Sequence, residues 1–143
     1  MAISYENVIY DRVIDNLSTL IADEFSIPIK YDAHEGNQSF LITPVSDEIN
    51  ELLTTAQVRD YVVNISYQVD LSGNYTKLTL KQVSEIAERV KRLIYNNRNY
   101  TVSGVRQFNN ANVSSIDYSQ DEDNSDLVMA SININVSVME VIG

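Results

Sequence analysis

The chain has 143 residues, 44% of them apolar, no cysteine and a net charge of −10. That length and apolar share suit one domain with its own core, 1–143, and the missing cysteine excludes disulfides and thiolate metal sites. The charge argues against non-specific binding of nucleic acid or of an anionic membrane, both of which need basic patches.

The charge is unevenly spread. Residues 1–76 carry −9, residues 77–106 carry +5, and residues 107–143 carry −6 with no Lys, Arg or His at all. Segregation of this kind lets one chain present opposite signs on different surfaces, which suits association between copies.

In chain order, the first predicted element is a helix over 4–25. Val8, Ile9, Val13, Leu17, Leu20 and Ile21 fall on one face at a 3.6-residue period. Ser4 is the expected N-cap, with Glu6 favoured in the first turn. Pro28 ends the helix. A short strand over 27–33 and a second over 40–43 read as a hairpin around a turn at His34-Glu35-Gly36-Asn37. Pro44 is expected to end the second strand. Ile49, Leu52 and Leu53 share a side, which fits one or two helical turns over 46–54.

Residues 59–71 form the clearest strand so far. Tyr61, Val63, Ile65, Tyr67 and Val69 alternate with Val62, Asn64, Ser66, Gln68 and Asp70. A second helix is predicted over 80–95, with Thr79 and Gln82 as a capping box. Val83, Ile86, Ala87, Val90, Leu93 and Ile94 make its buried stripe. Glu85 with Arg89, and Glu88 with Arg92, have the spacing of helical ion pairs. Lys91 and Arg92 fall in its last turn, and Asn96-Asn97 offer a left-handed C-terminal residue. Three more strands are expected, over 100–108, 113–119 and 127–141. Asn109-Asn110 turns between the first two, and an acidic loop over 120–126 joins the last two. In the final strand Val128, Ala130, Ile132, Ile134, Val136 and Val138 face one way. The fold class is α+β: a mostly antiparallel sheet packed against two amphipathic helices.

The sequence offers little chemistry. His34 is the sole histidine and sits at a predicted turn, where it reads as a plain surface residue. Neither a nucleophile elbow nor a glycine-rich phosphate loop is present. The run from Asp121 to Asp126 has oxygen ligands suited to a cation, but it lacks the EF-hand glycine and terminal glutamate; a solvated loop explains it as well. No cofactor and no metal are expected, and the chain reads as a non-enzyme. The first residues, Met1 to Asn7, have no basic region and no apolar signal, so synthesis in the cytosol is expected. No apolar run approaches the roughly 18 residues that cross a bilayer, and no membrane partner is expected. Candidate interface residues are Arg89, Lys91 and Arg92 on the basic helix, and Asp121, Glu122, Asp123 and Asp126 in the acidic loop.

Several local phrases stand in a suggestive order. Val8-Ile9-Tyr10-Asp11-Arg12-Val13-Ile14 opens the first helix, and Ser39-Phe40-Leu41-Ile42-Thr43-Pro44 closes the expected hairpin. Arg59-Asp60-Tyr61-Val62-Val63-Asn64-Ile65-Ser66-Tyr67 leads the long strand. Arg92-Leu93-Ile94-Tyr95-Asn96-Asn97 ends the second helix, before the last antiparallel strands. This order resembles the tail terminator (tail-completion) proteins of long-tailed bacteriophages, over most of the chain, in pattern and length rather than in any chemical motif.

The resemblance implies a virion protein of the tail and neck, made in the host cytoplasm. Its copies would close into a ring, typically hexameric, that caps the tail tube and meets the head-side connector or neck proteins. DNA would pass through the lumen without specific binding. Other readings stay open: a different neck or tail component such as a head-completion or tube protein, a small cellular protein-binding module, or an enzyme working through carboxylates that no motif marks.

Overall fold

A computed structural model describes residues 3–70, 77–120 and 127–142, with the side chains of 77–79 left aside. A π-helical stretch, Ile9–Ile14, runs straight into helix α1, Asp15–Glu24. Then come β1, Ile29–Lys30; β2, Gln38–Leu52; β3, Ala56–Asp70; helix α2, Lys77–Asn96; β4, Tyr100–Val102; β5, Val105–Gln120; and β6, Leu127–Val141. The six strands form one sheet in the order β1-β2-β3-β6-β5-β4. All neighbours are antiparallel except β1 with β2. The fold is therefore α+β as expected, with a mixed sheet that is antiparallel through its centre.

Strict alternation builds the core. Val63 and Ile65 on β3 and Val128, Ala130, Ile132 and Ile134 on β6 are fully buried on one face. The apolar stripes of both helices pack on that same face: Leu17 and Ile21 of α1, and Val83, Ala87, Val90 and Ile94 of α2. Each of the large side chains contributes roughly 1.5–3 kcal/mol by leaving water. Phe25, Phe40 and Tyr67 meet edge-to-face and tilted at the Asp70 end of β3, the lower part of this core, with ring centroids 5.1 and 5.3 Å apart.

The first helix begins later than its pattern suggested. Val8 rather than Ser4 stands at the N-cap, without a side-chain cap. The Asp15 N–H reaches back past Asp11 to the Tyr10 carbonyl, the wider spacing of a π turn. The Asn16 amide donates to the Arg12 carbonyl at 2.7 Å, within this wider stretch of helix. Asn16 also donates to Gln107 Oε1 at 3.1 Å, tying the helix to β5.

Several other expectations are corrected. β1 and β2 do not form a hairpin: Ile29 pairs with Phe40 in parallel. A two-residue strand lets the short connection over 31–37 double back where a longer parallel pair would need a long crossover. Pro44 does not end β2, and no helix forms over 46–54. β2 continues to Leu52 against β3, with irregularities between Pro44 and Ser46 and between Ile49 and Glu51. Pro44 is tolerated because it lies at a bulge and beyond β1, on a stretch of β2 that has a strand on one side only.

Helix α2 starts at Lys77, so Thr79 is not its cap. Its last turn carries no base, and neither Asn96 nor Asn97 is left-handed. Asn97 caps the end by donating its side-chain amide to the Leu93 carbonyl at 2.9 Å.

The predicted strand over 100–108 turns in its middle. Ser103 and Gly104 both have positive φ, 50° and 80°, and close a two-residue hairpin between Val102 and Val105. That is the type I′ geometry that matches strand twist. Asn109-Asn110 is not a turn but an irregularity within β5, where Asn110 takes φ 54°.

Candidate functional site

The sheet has one face covered by helices and one that no helix covers. The second face is a polar lattice. Asn64 donates to Ser131 Oγ at 2.7 Å and to Asn133 Oδ1 at 2.9 Å. Asn133 donates to Ser115 Oγ at 3.0 Å. Asp60 accepts from Ser137 Oγ at 2.7 Å and from Asn50 at 2.9 Å. These bonds link β2, β3, β6 and β5, and among the described residues no buried side-chain polar atom lacks a partner. By pairing register, the residues that β3, β6 and β5 from Asn109 onward turn to this face include Asp60 and Asp117 but no Lys or Arg; Arg106 stands at the edge and donates to Asn109 Oδ1 at 2.7 Å. Near its upper end the face is hollowed to about 380 Å³, lined by Glu48, Asn50 and Asp60 on one side and Asn110, Asn112 and Asn135 on the other.

His34 departs from its expected surface role. Its ring is half-buried on the polar face, with Nδ1 2.6 Å from Ser39 Oγ and Nε2 2.8 Å from Ser66 Oγ. Ser39 and Ser66 are themselves buried. Burial lowers the His34 pKa, opposed by the Ser39 backbone. On the opposite side of the same connection, Tyr31 donates to Ser18 Oγ at 2.9 Å. The segment over 31–37 thus straddles the sheet edge and is pinned to both faces. No carboxylate among the described residues bonds the ring, so the constellation orders a loop and lacks the orienting acid of a triad.

At the upper end of the helix-covered face, beyond the start of the first helix, lies a charged depression. Arg59 pairs with Asp47 at 2.5 Å and Arg12 with Glu6 at 2.8 Å, while Gln57 donates to Glu140 at 3.1 Å. Desolvation, then the neighbouring Glu140 and Asp47, push the Tyr61 phenol well above its usual range. Of the two ion pairs, only Arg59–Asp47 crosses strands, from β3 to β2; Arg12–Glu6 lies within the N-terminal segment and first helix. Tyr61 and Tyr67 are core residues, as their place on the apolar side of β3 implied. Among the described residues no three His, Cys, Asp or Glu side chains are grouped to hold a metal ion, and no helix is long and apolar enough to cross a membrane.

The candidate interface residues separate. Arg89 is engaged within the chain: it donates to Glu24 Oε1 at 3.1 Å, and its guanidinium lies 4.3 Å above the Phe25 ring. It therefore cements α2 to the end of α1, and the expected pair with Glu85 is not made. Glu88 pairs with Lys91, one turn away at 2.8 Å, rather than with Arg92. Arg92 is exposed and makes no ion pair among the described residues. Asp121, Glu122, Asp123 and Asp126 lie outside the described residues, as does the cation-binding question attached to them.

Sequence reasoning missed two features. The serine pair around His34 is invisible locally, since 5 and 27 residues separate Ser39 and Ser66 from their neighbours in the cluster. The bare polar face was half legible in the alternation of β3 and β6. Its continuation onto β2 was hidden by the helical reading of 46–54. No protein-family model matches the sequence, and no curated protein matches it at a significant level.

Proposed function

We propose that this chain is a structural virion protein, a tail terminator subunit whose copies close into a hexameric ring. In this reading the ring caps the tail tube and joins it to the head-side connector. The observation that carries it is the centre of the helix-free face: a hydrogen-bonded surface on which β3, β6 and the part of β5 from Asn109 onward present Asn, Ser and Asp side chains and no Lys or Arg, the cations Lys30 and Arg106 standing at its edges. Facing a lumen, such a surface gives DNA phosphates no counter-charge to bind. The duplex slides past it.

The same face has the polar satisfaction of a surface built to stay wetted: among the described residues every buried side-chain polar atom has a hydrogen-bond partner. Net charge −10 keeps the free subunit soluble until it assembles. Native mass spectrometry of the purified chain over a range of concentrations, with negative-stain imaging of the same samples, tests the reading. A closed ring of defined copy number with an open centre is the expected result. A monomer at every concentration, which also fails to bind the end of isolated tail tubes, would sink it.

A further inference from the structure

We infer that the subunits of the proposed ring join head to tail, the upper half of β2 on one copy docking against the β4–β5 hairpin of the next. The inference rests on the ring reading and names the surfaces that close it.

Both surfaces are sheet edges. β1 covers β2 only at Phe40 and Leu41; from Ile42 to Leu52 the strand has β3 on one side and no strand on the other among the described residues. β4 is the opposite edge. Unpaired edges invite a partner chain. Pro44 and the two irregularities of β2 prevent a long ladder there, so side chains must carry the contact. Apolar groups stand on both edges. Ile49 is 52% exposed and Leu52 69% on β2, and Val105 is 55% exposed on the hairpin, with Val45 and Val102 beside them. Apolar side chains clustered at the surface mark association sites.

Charge selects which edge meets which. Glu48 and Glu51 on β2 are exposed and make no ion pair among the described residues; neither do Arg98 and Arg106 at the base of the hairpin. The strand register puts Glu48 level with Asn109, the residue that Arg106 grips, with Glu51 and Arg98 flanking that row. Glu48, Asp60, Ser137 and Asn109 form a single row across the sheet. Arg106 donates to Asn109 Oδ1 at 2.7 Å, and Arg98 to the Ala111 carbonyl at 3.3 Å. Rotation about an axis parallel to the strands keeps height unchanged. It brings the anionic edge of one copy level with the cationic edge of the next, a heterologous contact that closes into a ring.

The test uses two double variants of the full chain, Glu48→Lys/Glu51→Lys and Arg98→Glu/Arg106→Glu, with circular dichroism to check folding. Each alone sets like charges against each other and should raise the concentration for half-assembly at least about tenfold at low salt. An equimolar mixture should assemble again, because each variant then finds its complement only in the other. Native mass spectrometry should read strict one-to-one alternation with an even copy number. Assembly unchanged by either variant, or loss in both without recovery in the mixture, overturns these surfaces while leaving the ring reading intact. A wild-type chain that forms no ring at all refutes that reading, and this inference with it.

Discussion

β3 and β6 each cross two environments. From Tyr61 to Tyr67, and from Val128 to Val138, every second side chain is buried under a helix. From Ala56 to Asp60, and beyond Val138, the same alternation continues with no helix above it, and the side chains stand half-exposed or fully exposed. β2 repeats the contrast, with Phe40 and Ile42 sealed and Ile49 and Leu52 in water. Identical backbone geometry thus builds a core at one end and a surface at the other. What differs is the reach of α1 and α2, not the strands. Apolar residues at the upper end are therefore not failed core; they are surface material that the isolated fold does not use.

Truncation separates the two ends most sharply. Ile132→Ala removes a fully buried side chain at the centre of β6 and should cost roughly 2–5 kcal/mol of stability, transfer loss plus cavity. Leu52→Ala, at the tip of β2, should change the stability of the monomer by no more than about 0.5 kcal/mol. Urea unfolding of both variants measures the difference. Comparable losses would mean that the upper end is part of the cooperative core after all.

The lower, covered part of the molecule was the part legible in the sequence. Alternation in β6 and the 3.6-residue stripe of α2 each repeat over many residues, so a single period fits and the burial follows. The upper end was misread because its signals are short. Ile49, Leu52 and Leu53 satisfy a helical spacing, and only the partner strand, set by tertiary pairing with Arg59 and Gln57, decides for extended chain. Ser103-Gly104 did carry a turn signal, overlooked in favour of Asn109-Asn110. Arg89 was recognised as a cation of interest. Its partners, Glu24 and Phe25, lie at and just beyond the end of another helix, where no local pattern points to them.

The hairpin sharpens the contrast at intermediate size. At Gly104 the φ of 80° is the constraint, since an added Cβ would have nothing within 4 Å. Gly104→Ala should therefore destabilise by about 1–2 kcal/mol from backbone strain alone. Ser103→Asn should be neutral or slightly stabilising, because Asn tolerates the left-handed region better. Thermal melts would read both. No cost for Gly104→Ala would argue against the type I′ turn, and with it against the hairpin edge invoked in ring closure.

The smallest effect concerns pH and the loop that His34 pins to the lower sheet. Burial lowers the folded-state pKa of His34, whereas the unfolded chain should titrate near its ordinary value of about 6.5. Between those two values the unfolded state binds more protons, so stability falls as pH falls. The contribution of His34 is complete above about pH 6.5 and is lost progressively below it. Acidic side chains titrate over lower pH and contribute their own slope, so the comparison must be with His34→Gln. Urea midpoints at about pH 7.5 and pH 5.5 should fall further in the wild type than in that variant. Equal slopes would show that His34 titrates alike in both states and is not held neutral between Ser39 and Ser66. Because His34 is the sole histidine, any pH sensitivity lost in His34→Gln belongs to the lower end and its pinned loop.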